Sequence, residues 1–234
     1  MNLETALNSL PIIPASVKTV TEALNEPHRK YHNVDHVERM LNLAVEEGYD
    51  ITKDTKIFEA IVFHDVVYQP TSTLNEKMST LVYRGSLNSK VDFHRHFTVI
   101  EAILATMNHT EILINMWIDD VDFWINDFLD YDLEGLANNF YDNGRKIYAE
   151  FSPYVTDEAF FDGRLEFFRK MINSERIFRN HPDWEEKARE NIQGEIDRME
   201  SMLTVDGDIW SSCEGVVIVN ARKNYVKWMT MHDD

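Results

Sequence analysis

The run Ile57-Phe58-Glu59-Ala60-Ile61-Val62-Phe63 ends in an adjacent His64-Asp65 pair, and no other stretch of the chain limits its fold so tightly. Ile57, Ala60 and Ile61 recur at helical spacing, so the run reads as a buried helix. Neighbouring side chains on a helix point about 100° apart. His64 and Asp65 can therefore converge on one object only near the core-facing side. Burying two polar groups there without partners costs several kcal/mol, about 2–7 each. A metal ion is one partner that satisfies both. A capped helix end, with Asp65 solvated and His64 hydrogen-bonded, is the plain alternative.

The rest of the chain supports a helical context. Residues 1–24 read as an amphipathic lead-in interrupted by Pro11 and Pro14. The segment from Glu26 to His36 is dense in titratable groups, and Val37, Met40, Leu41 and Ala44 follow at helical spacing until Gly48 ends the helix. His32 joins the face of His36 only if that helix already includes it; a start at Asn33 or Val34 leaves it in the loop. Thr52 is a good N-cap for the helix that carries His64-Asp65. Asn75-Glu76 opens another helix running to Gly85, and a polar loop over 86–96 holds His94 and His96. Helices are expected over about 97–107, 112–137, 138–151, 157–179 and 184–203, with Trp117, Phe123, Trp124 and Phe128 in the core. From Val205 the pattern changes, and Val216-Val217-Ile218-Val219 reads as a short strand or hairpin. The expected organisation is one all-α helical bundle over 1–204 and a small non-helical C-terminal addition over 205–234, packed on it.

Charge narrows the partners. The net charge of −18 would repel duplex nucleic acid, and no Lys/Arg-rich block offsets it. A small phosphorylated substrate remains compatible, because a metal ion can reverse the local field. The apolar runs fall far short of the roughly 20 residues that cross a bilayer. A lone cysteine, Cys213, excludes an intrachain disulfide framework and a cysteine-based zinc site, and suits the cytoplasm. No GxGxxG, P-loop or GxSxG motif is present.

His36, His64-Asp65, His109 and Asp130 or Asp132 each lie near a predicted helix end or an apolar stripe, and a bundle can bring such residues together. Imidazole plus carboxylate suits Mn, Fe, Co, Ni or Zn, and a carboxylate-rich shell with water also takes Mg. The order of these residues resembles the H…HD…D pattern of the HD-domain superfamily of metal-dependent phosphohydrolases. The blocks from Glu26 to His36, Phe63 to Tyr68, Asn75 to Ser79 and Leu129 to Leu133 are similar to a subfamily of predicted members. Tyr141, Arg145, Glu150 and Gly163-Arg164 also resemble its downstream pattern. The resemblance spans roughly residues 24–195.

It implies an all-helical fold, a divalent metal and hydrolysis of a phosphoester in a nucleotide or related small molecule. Carried over, His36, His64 and Asp65 match the first three metal-ligand positions. The fourth stays open between Asp130 and Asp132, with Asp132 preferred. Asp65 or Glu76 would orient or deprotonate water. Arg29, Arg145 and Arg164 are candidates to neutralise phosphate, His32 is a candidate partner of the ligands or the substrate, and His109 is the best placed extra histidine. Two rival readings are a catalytically silent nucleotide-binding or interaction module and a di-iron oxygenase of the same superfamily. A homo-oligomer is compatible with all three.

Overall fold

A computed structural model describes residues 1–88, 93–109, 123–203 and 214–231, with the side chains of 93–95 and 214–221 excepted. Trp117, Cys213 and the helical reading of 112–122 lie outside the described residues. Within them the chain is all-α, with eleven α-helices; the nearest thing to a sheet is an isolated bridge between Ile12 and Leu87. No described helix is long and apolar enough to cross a membrane.

The fold divides into two compact units, the first of residues 1–133 with 178–181, the second of 134–177 with 182–234. The first unit holds α1 (Leu3–Ser9), α2 (Pro14–Leu24), α3 (Val34–Glu46), α4 (Thr55–Phe63), α5 (Asn75–Ser86), α6 (Phe93–Ala105) and α7 (Phe123–Leu133). Its core is built from the predicted stripes: Val37, Met40, Leu41 and Ala44 of α3 meet an α4 whose seven residues from Ile57 to Phe63 are all buried. Glu59 is the one charge in that run, and it accepts the Tyr83 hydroxyl at 2.6 Å. The second unit holds α8 (Phe140–Phe151), α9 (Asp157–Ile172), α10 (Pro182–Leu203) and α11 (Glu214–Met231).

Several expectations need correction. The C-terminal addition is helical: Val216–Val219 fall inside α11, not in a strand. Its later half packs with α9 and α10, where Tyr225 sits edge-on to Phe161 at 5.1 Å and donates to Glu195 at 2.7 Å. These contacts outweigh the modest dislike of β-branched residues for helices. Thr52 does not cap α4; it donates to Asp50 in the preceding turn, and Asp54 holds the cap position. His94 and His96 lie on the first turn of α6, not in a loop. Phe123, at the start of α7, is 69% exposed, whereas Phe128 is buried. The helix expected over 157–179 stops at Ile172, and residues 173–181 form an irregular connection.

Candidate metal centre

Two helix ends in the first unit supply the histidines. Asn33 caps α3 by accepting from the backbone N–H groups of Asp35 (2.9 Å) and His36 (3.3 Å), which sets His36 in the first turn with its side chain buried. Since α3 begins at Val34, His32 lies in the loop before it, its ring stacked 4.2 Å from that of Tyr68. His64 occupies the C-cap of α4, its backbone N–H still bonded to the Ala60 carbonyl at 2.9 Å. Asp132 comes from the last turn of α7.

The turn after His64 is fixed from two sides. Arg29 is 4% exposed and donates to the carbonyl oxygens of His32 (3.1 Å), Asp65 (2.6 Å) and Val66 (3.0 Å), and to Glu26 (3.1 Å). Ser79 and Asn75 of α5 bind the backbone of Val67 and Gln69. Arg29 was expected to contact phosphate; instead its guanidinium binds the loops that present the ligands.

Ligand atoms of His36, His64 and Asp132 all lie within 4.8 Å of one another, so the three could hold a metal ion. His36 Nε2 is 3.0 Å from Asp132 Oδ1, His64 Nε2 is 3.6 Å from the same oxygen, and the two rings are 5.4 Å apart. Asp132 Oδ2 faces His109 Nε2 at 2.8 Å. Asp65 Oδ2 is 3.2 Å from His64 Nε2 but out of hydrogen-bond alignment with it. His64 Nδ1 donates to the Ile61 carbonyl at 2.9 Å, which leaves Nε2 buried with no hydrogen-bond partner among the described residues.

No family model, curated protein or solved structure matches this chain. The functional reading therefore stands on this geometry.

Electrostatics make this cluster of side chains a place for a cation. Burial disfavours a charged His64 ring, but the Asp65 and Asp132 carboxylates override it and raise its pKa well above the ordinary value. Burial likewise opposes ionisation of the two aspartates, yet His64 holds both below the usual carboxylate range, with His109 and His36 adding to the effect on Asp132. Burial dominates at His36 and lowers its pKa. Arg39 Nη2 donates to His36 Nδ1 at 2.9 Å, so the neutral ring carries its proton on Nε2. Ligation through Nε2 requires that proton to leave and Arg39 to draw back from Nδ1.

The other candidates are not among the residues that come within ligand range of one another here. The Asp130 carboxylate does not face the histidines; it accepts from the backbone N–H of Arg179 and Asn180 and from His181 Nδ1, all within 2.9 Å. Glu76 is half-buried in the first turn of α5. Arg145 and Arg164 belong to the second unit, Arg145 lying 3.5 Å from Asp142 and Arg164 over the Phe168 ring at 4.4 Å.

Reading the sequence missed the segment 178–181, whose His181 bridges Asp130 and Glu47 at 2.9 and 2.6 Å. Glu47, Asp127 and His181 also come within ligand range of one another. Each is already engaged: Tyr131 donates to Glu47, and Tyr49 and Asn180 to Asp127. The His181-Pro182 break was visible in the sequence, but not that the chain returns there to α7.

Proposed function

We propose that this chain is a metal-dependent phosphohydrolase acting on a nucleotide or another small phosphorylated molecule. The observation that carries the reading is His64 Nε2, a buried ring nitrogen between two carboxylates with no hydrogen bond among the described residues. A divalent ion shared with His36 and Asp132 supplies the missing partner. Two imidazoles and a carboxylate favour Mn, Fe, Co, Ni or Zn over Mg.

Such an ion, when bound, acidifies a coordinated water towards a pKa of roughly 7 and polarises a phosphoryl oxygen. The protein's own groups do the rest. The Nδ1 bond to Ile61 holds the His64 ring in the orientation that presents Nε2. Asp65, ionised beside it, would act chiefly as a hydrogen-bond acceptor that orients the water. His109, with 18% of its side chain exposed, is the member of the group open to a leaving group and can return a proton. The resemblance to HD-domain phosphohydrolases points the same way.

The test is to strip the protein of metal, reload it with Mn, Co, Ni or Mg, and screen nucleoside mono-, di- and triphosphates and signalling nucleotides for phosphate release. Turnover is expected with a transition metal and lost on chelation. His64→Ala should weaken metal binding at least about 100-fold, beyond the 10–100-fold typical of an outer-shell partner, with unchanged helical circular dichroism. Metal binding without turnover of any nucleotide would leave a binding module. A wild-type protein that binds no metal would sink the reading.

A further inference from the structure

Arg179 meets the first unit with its backbone and its side chain separately. The backbone N–H donates to both oxygens of Asp130, each at 2.9 Å, so the anchor of this segment is made by main chain. The guanidinium reaches a different place: Nη2 donates to the His109 carbonyl oxygen at 2.6 Å. His109 is the residue whose ring contacts Asp132 Oδ2 at 2.8 Å. The second terminal nitrogen, Nη1, is buried and has no hydrogen-bond partner among the described residues.

A buried donor on a charged group is costly to leave unmade. Burial lowers the Arg179 pKa, with the Asp130 charge opposing it, yet a guanidinium stays protonated at any pH the protein meets. Its fork geometry matches the oxygens of phosphate or carboxylate. Asp130, whose charge acts on Arg179, already accepts from two backbone N–H groups and faces His181. Among the described residues no other acceptor meets Nη1, and an oxyanion from outside them would complete the shell.

We propose that Arg179 is the phosphate-binding arginine of this site, donating through Nη1 to a phosphoryl oxygen held beside His109. The proposal deepens the phosphohydrolase reading and rests on it. Because the segment is anchored through its backbone, replacing the side chain leaves that anchor in place.

The experiment uses the full chain, with Arg179→Gln and Arg179→Lys beside wild type. Manganese affinity is measured first by calorimetry, and inorganic phosphate is then titrated into the metal-free and the manganese-loaded forms. Manganese should bind all three proteins alike, while phosphate should bind Arg179→Gln about 10- to 100-fold more weakly, the range for a charged hydrogen bond. Lysine should recover only part of the loss, since it keeps the charge without the fork. Equal phosphate affinity in wild type and Arg179→Gln would overturn the proposal. A parallel fall in manganese affinity would overturn it too, because Arg179 would then act by positioning His109. If wild type binds neither manganese nor cobalt, nickel, zinc or iron, the phosphohydrolase reading fails by itself. The metal-free titration then still decides Arg179, supporting it if Arg179→Gln loses phosphate and overturning it if nothing is lost.

Discussion

At the scale of single residues, what a charge is for depends on where its side chain ends. Arg29 stands in a titratable stretch of an acidic chain, and its sequence context suits a phosphate contact. In the fold it is buried and binds three backbone carbonyl oxygens and Glu26. It joins the loop before α3 to the turn after α4, and so ties together the segments that carry His36 and His64. Arg29→Met should leave those carbonyls without a donor and cost about 2–4 kcal/mol of stability. Urea unfolding of the two proteins checks it; equal midpoints and slopes would show that the carbonyls find other partners. Asp130 and Asp132 make the same point. Two positions apart on a helix, they face about 200° apart, so only one can meet the histidines. Spacing alone does not say which.

At the scale of elements, the parts that were legible are those whose ends carry chemical signals. α3 begins after Asn33, whose side chain accepts two backbone N–H groups, and ends before Gly48, whose φ is +95°. No atom lies within 4 Å of a Cβ built on Gly48, so substitution there meets backbone strain and not a clash. Gly48→Ala should therefore destabilise by about 1 kcal/mol through the left-handed backbone alone. Thermal unfolding would register this as a fall of a few degrees, and an unchanged midpoint would refute it. α11 was misread because four β-branched residues after a glycine look like a strand when taken locally. A usable signal lay further on. Tyr225, Val226 and Met229 recur at helical spacing and are buried, the face that the described later part of α11 packs inward.

At the scale of the whole molecule, the chain leaves the first unit after Leu133 and re-enters it only at 178–181. That return is held by a buried polar network centred on His181. Burial disfavours its charged form, but the bonds to Asp130 and Glu47 outweigh this and raise its pKa from 6.5 to about 9. A pKa raised on folding means that the folded state binds the proton more tightly than the unfolded chain. The contribution is thus complete below about pH 6.5 and is lost as pH rises towards 9. It is on the order of 2–3 kcal/mol. Denaturant unfolding between pH 6 and 9.5 should show wild type losing this increment while His181→Gln shows a flatter profile. Parallel profiles would mean that His181 is not charged in the folded protein.

The amino-acid order by itself determined the all-α class, the buried α4 ending in His64-Asp65, and the apolar stripe of α3 that His36 precedes. These follow from periodicity and apolar content, which act over a few residues. The fold alone decided that Asp132 rather than Asp130 meets the two histidines, that Arg29 faces inward, and that Arg179 reaches His109 from 70 positions away. Such outcomes depend on which surfaces of distant helices meet. Local spacing carries no record of that, because any exposed or buried partner of matching charge satisfies a side chain equally well until packing selects one.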